Sequence, residues 1–156
     1  MSSKTEAKTM PDYHVAQVRH VGPYHEIGPV FGRLAAWAGP KGLIGPGAQF
    51  LGIYHDDPSN TPEAELRSDA CLVVPKGTEV DGDVQLGDVP SGLYAVLRGE
   101  VVAEGIKGLW GEMMTWIQAN GYQWDDRPCY ELYYNDHETH PEKKFIIDVC
   151  GPIKQA

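Results

Sequence analysis

The sequence predicts an α+β domain made of two βαββ units related by a pseudo-twofold axis, with an antiparallel sheet, one long helix per half and a ligand cleft between the halves. Three observations predict it. The chain matches itself without a gap when residues 13–75 are laid on residues 92–154, with about 12 identities in roughly 63 pairs against about four expected from composition. Each half carries one apolar stripe at helical spacing. Short β-rich runs separated by turn residues surround that stripe in the same order both times.

The elements follow in order. Residues 1–11 are predicted to be disordered, and 12–154 to form one domain: repeat one at 13–75, an extended linker at 76–91 and repeat two at 92–154. YHVAQVRHV (13–21) reads as a strand. Ile27, Val30, Phe31, Leu34 and Ala38 then recur at helical spacing until Gly42 supplies a C-terminal stop. AQFLGIYHD (48–56) and RSDACLVVP (67–75) read as strands on either side of the loop DPSNTPEAE. In the second half LYAVLRGEV (93–101) is a strand, and Ile106, Leu109, Trp110, Met113, Met114 and Ile117 stripe a helix that stops at Gly121. CYELYYND (129–136) and KFIIDVC (144–150) complete the unit.

Composition limits the function classes. A chain of 156 residues, 42% hydrophobic and 22% charged, closes one core. No apolar run reaches the roughly 18 residues of a membrane span, and MSSKTEAKTMPD lacks the hydrophobic centre of a secretory signal, so a soluble cytoplasmic protein is expected. Cys71, Cys129 and Cys150 form neither an even framework nor a CxxC pair, which predicts reduced thiols and no zinc site. A formal net charge of −9 repels nucleic-acid phosphates and favours cationic partners, so direct DNA binding is not expected.

Duplicated units keep what both copies need to fold, and their differences point to chemistry. Trp37 matches Trp116, Tyr54 matches Tyr133, Asp69 matches Asp148 and Cys71 matches Cys150, yet Gly52 matches Glu131. On a strand, Glu131 shares a face with Cys129 and Tyr133. Burying a carboxylate costs several kcal/mol without a partner, on the order of what a ligand cation and ring faces at about 0.5–2 kcal/mol each could offset. Two readings of Glu131 stand on pattern alone: a ligand-facing acid ringed by Tyr54, Tyr133, Trp110 and Phe31, or a structural group that sits at a solvated face or pairs with Arg98 or Arg127. Tyr130, Leu132 and Tyr134 are equally eligible as the core face of that strand. Met113 suits an adaptable pocket but reads first as core.

HVGPYHEIG (20–28), IYHDDPSNTPEAELRSDACLVVP (53–75), SGLYAVLRGE (91–100) and PCYELYYND (128–136) together resemble the GyrI-like small-molecule-binding domain, over about residues 12–153. The resemblance implies a ligand channel between two βαββ halves and a buried acid in a Cys-x-Glu-x-Tyr context, here Glu131. It implies binding of bulky aromatic or lipophilic cationic molecules by Glu131, Tyr133, Tyr54, Trp110, Phe31, Met113 and Cys129. Alternatives within the family are hydrolysis of strained, cyclopropane-containing DNA-alkylating toxins, with Glu131 as general base, and a protein partner such as gyrase. The few residues ahead of Tyr13 predict no helix-turn-helix. No cofactor and no metal are implied.

Other patterns read as structural. HETH (137–140) misses HExxH spacing and lies in a polar loop. Asp56, Asp57 and Asn60 suit Asx turns. GPGAQFLG (45–52) lacks nucleotide-loop spacing, and no GxSxG elbow is present. Cys129 on a strand reads as a small buried residue rather than a nucleophile. Asp69 and Asp148 are expected to pair with nearby arginines such as Arg67 or to cap turns.

Overall fold

The computed structural model describes residues 4–156, and the protein is an α+β molecule whose strand pairs are antiparallel. Nine strands and two α-helices are described: β1 Glu6–Met10, β2 Tyr13–Val21, α1 Gly28–Ala38, β3 Phe50–Tyr54, β4 Arg67–Val73, β5 Gln85–Val89, β6 Gly92–Val101, α2 Ile106–Ala119, β7 Tyr122–Trp124, β8 Cys129–Tyr133 and β9 Phe145–Gln155. The chain divides into two compact units, one of residues 1–12 with 90–156, the other of residues 13–89. Among the described residues no helix is long and apolar enough to cross a membrane.

In the unit of residues 13–89 the strand order is β3-β4-β2-β5. Helix α1 buries Val30, Leu34 and Ala38, one apolar residue per turn at spacings of four, against Ala16, Val18, Ala70 and Leu72 of β2 and β4. Pro29 fits its first turn, where no backbone N–H is needed. A short 3₁₀ turn over Gly39–Lys41 follows, and Gly42 at φ 71° ends the run in the left-handed region.

The second unit is ordered β1-β6-β9-β8, with β7 also on β9. Helix α2 buries Leu109, Met113 and Ile117 on Ala95, Leu97, Ile147, Val149 and Ile153. Gly121, at φ 78°, is the counterpart of Gly42.

Pairings repeat between the units as well. Met10 lies opposite Gly92 and Glu6 opposite Val96; Val89 lies opposite Tyr13 and Gln85 opposite Gln17. Each residue of the second set is the first set's counterpart 79 positions along the chain. Residues expected to be without structure therefore include a strand: β1 occupies 6–10, and Met1–Ser3 of the same expectation lie outside the described residues. The stretch expected to be a linker likewise contains β5. EAKTM and QLGDV are largely exposed edge segments, held by backbone ladder bonds that leave no apolar alternation in the sequence.

Opposite the helices, each unit sets one buried aspartate beneath an arginine. Asp69 accepts from Arg19 Nε at 2.6 Å and from His55 Nε2 at 2.7 Å. Asp148 accepts from Arg98 Nε at 2.5 Å and from the Tyr134 hydroxyl at 2.7 Å. The expected partner Arg67 instead forks onto Asp56 at 2.9 and 3.0 Å, because position 67 is exposed beside the chain that leaves β3.

Burial pushes the Asp69 carboxyl up, but hydrogen bonds from His55 and Arg19 outweigh it and hold the group below the ordinary carboxylate value. A depressed folded-state value means that this cluster stabilises the protein above about pH 4 and that the contribution disappears as pH falls through the folded value. Asp69→Asn is expected to lower stability at neutral pH by about 2 kcal/mol and to flatten the acid limb of a urea-midpoint-against-pH curve. An unchanged acid limb would show that Asp69 takes no part in it.

Candidate functional site

Strand β8 settles which face meets the helix. Tyr133 packs on the α2 cluster, as does Trp110 of α2 itself, so Cys129, Glu131 and Tyr133 share the helix side by strand alternation. Tyr130 and Leu132 turn the other way and are fully buried; the Tyr130 ring lies 5.1 Å from that of Tyr94.

Glu131 is 5% exposed. Trp110 donates its indole N–H to Oε2 at 2.7 Å, and Tyr133 donates its hydroxyl to Oε1 at 2.5 Å. An indole nitrogen only donates, so Oε2 is fixed as an acceptor. A carboxylate held this way draws on charge-assisted bonds, each worth about 1.5–3 kcal/mol, against the cost of its burial. The two arginines that the sequence offered as partners have other bonds. Arg98 engages Asp148 and lies 4.1 Å over the Tyr134 ring, while Arg127 bonds to Asp125 and to the Leu93 carbonyl.

Cys129 lies two residues before Glu131 and is half-buried; burial, and then the Glu131 charge, push its thiol up to about 11. A thiol so rarely ionised at neutral pH is a poor nucleophile. Met113 is fully buried in the α2 core. Tyr133 also approaches Phe145, at 6.2 Å between ring centres.

Tyr54 and Phe31 belong to the unit of residues 13–89 and pack on its α1 cluster. The Tyr54 ring meets Tyr24 edge-on at 4.9 Å, and Phe31 meets Phe50 at 6.3 Å. Gly52 lies between Phe50 and Tyr54 on β3, at the place that Glu131 takes on β8. Sequence reasoning missed Tyr24 and the bond from Trp110 to Glu131. The former was signalled only as the single tyrosine of HVGPYHEIG, and no spacing rule across 21 residues signals the latter. An open cleft of about 350 Å³ in the same unit is lined by Val18, Arg19, Arg33, Gly82, Asp83 and Gln85 and contains none of these aromatic residues.

The remaining polar patterns are structural. His137 stacks on Phe145 at 4.0 Å, and His140 bonds to Glu100 at 2.7 Å. Asp57 accepts from the backbone N–H and hydroxyl of Ser59, as an Asx turn requires.

Comparison with known proteins sets this α+β frame among small-molecule-binding domains. The GyrI-like small-molecule-binding domain matches residues 3–154, and the chain belongs to that family. A protein named DNA gyrase inhibitor from Yersinia enterocolitica is 35% identical over 147 residues, which cover 90% of this chain and 91% of the relative. The EcmrR C-terminal domain superposes with a TM-score of 0.77 at 17% identity, covering 100% of each chain. SAV2435 bound to tetraphenylphosphonium superposes with a TM-score of 0.64 at 14% identity, covering 97% of this chain and 94% of the other.

Trp110→Phe keeps the ring and removes the donor, and is expected to cost about 2 kcal/mol in urea unfolding. A double-mutant cycle with Glu131→Leu should return a coupling of about 1 kcal/mol or more. Additive effects would mean that the bond contributes nothing.

Proposed function

We propose that the protein binds bulky aromatic or lipophilic cations, with the Glu131 carboxylate supplying the charge and Trp110 and Tyr133 both orienting it and offering ring faces. The observation that carries this reading is a buried acid whose oxygens accept from two aromatic side chains. In water such a charge is screened; at a shielded site its attraction for a delocalised cation is several times stronger. Ring faces add cation–π attraction of about 0.5–2 kcal/mol each. That a protein of the same fold is seen with tetraphenylphosphonium, a cation with no hydrogen-bond donor, supports this choice of ligand class. The same reading assigns Cys129 and Met113 to ligand contact and the protein, with its three free thiols, to a reducing cytoplasm.

Titration of tryptophan fluorescence with tetraphenylphosphonium is expected to show saturable binding that Glu131→Gln weakens at least about tenfold, or 1.4 kcal/mol. Equal affinity in the variant would remove the electrostatic part of the proposal. Recovery of unchanged probe by mass spectrometry separates binding from hydrolysis, the reaction in which Glu131 would serve as general base.

A second reading rests on the relative named DNA gyrase inhibitor: this protein, too, acts on gyrase. A supercoiling assay should then show inhibition that rises with added protein. Full supercoiling at large protein excess would contradict it.

A further inference from the structure

We propose that β1 is an exchangeable strand, which one copy of this protein can add to β6 of a second copy and receive in return, forming a symmetric dimer. The inference rests on connectivity and register and is independent of the ligand reading.

Strand β1 pairs with β6, although the chain continues from β1 into β2 of the other compact unit after only Pro11 and Asp12. Strand β5 pairs with β2, although the chain continues from β5 into β6 after only Pro90 and Ser91. Each unit therefore finishes its sheet with the strand that leads into the other unit, in matching register. Such a strand is recognised by backbone ladder bonds on an edge, and that edge cannot tell which copy of the chain supplies it.

The contacts at stake in exchange are few. Ala7, Lys8 and Thr9 of β1 face solvent, and only Met10, at 7% exposure, with Thr5 just before the strand, is buried. Opening β1 thus gives up five strand pairs and little apolar burial, and the same pairs re-form in the dimer. The short connection ends in a proline-containing hinge: Pro11 fixes its own φ and biases Met10 toward an extended backbone, which holds the arm out when it is released. Short, stiff hinges are where exchange between identical chains costs least. A second copy is the fitting occupant because it presents EAKTM in a register that β6 already accepts.

Ala7 and Ala95 lie directly opposite each other, which gives a direct test. Chains carrying Ala7→Cys, labelled with ¹⁵N, are mixed at high concentration with unlabelled chains carrying Ala95→Cys, then diluted and oxidised. Exchange is expected to yield a 7–95 disulfide between a labelled and an unlabelled chain, identified by peptide mass, at least about tenfold above either variant oxidised alone. The double variant, closed within one chain before mixing, should form no such dimer. Thr9→Cys with Leu93→Cys, also opposite partners, replaces the pair if the Ala95 variant does not fold. Linkage within the double variant but none between separate chains would overturn the proposal, as would a dimer in which 7 and 95 remain unlinked.

Discussion

The carboxylate of Glu131, clamped between an indole N–H and a phenol, is the constraint on which the candidate site depends. A buried acid must be satisfied or it neutralises, and here the donors come from two different elements, α2 and β8. Holding the acid therefore also fixes where the helix sits over the strand. The ring of Trp110 is placed by the same bond that meets the need of the charge, so packing and site geometry are one problem with one solution. The alternation of β8 then puts Tyr130 and Leu132 into the opposite, fully buried layer, which anchors the strand against movement of its other face.

The two units agree on one face and differ on the other. Opposite the helices, both keep a buried aspartate under an arginine, with one further donor that differs, His55 in one and Tyr134 in the other. On the helix side they diverge, with Gly52, Phe50 and Phe31 in one unit and Glu131, Cys129 and Trp110 in the other. The first set leaves an apolar aromatic surface and the second introduces a charge. The same backbone register thus carries two different chemistries, a difference in side chains alone.

Much of this was legible in the sequence because the physical signal was local. The stripes Val30-Leu34-Ala38 and Leu109-Met113-Ile117 announce helices, and Gly42 and Gly121 announce their ends. Glu131 stood out because its counterpart lacks a side chain. The edge strands were hidden: EAKTM and QLGDV are mostly exposed, and only a partner far along the chain makes them strands. The same holds for β7, whose three residues pair with the far end of β9. Ion pairing was misread at Arg67, since the Asp69 oxygens are taken by Arg19 and His55, whereas Asp56 lies within reach of the exposed Arg67 fork. The face of β8 was undetermined, because both of its sets of alternate residues are apolar enough to be core.

The most direct measurement is the indole N–H resonance of Trp110 in a ¹⁵N-correlated spectrum, followed through hydrogen exchange and addition of tetraphenylphosphonium. A bond to a shielded carboxylate predicts a downfield signal that exchanges slowly with solvent, moves when position 131 is made neutral and shifts saturably with the added cation. A signal that exchanges freely and ignores both changes would contradict the account at its centre.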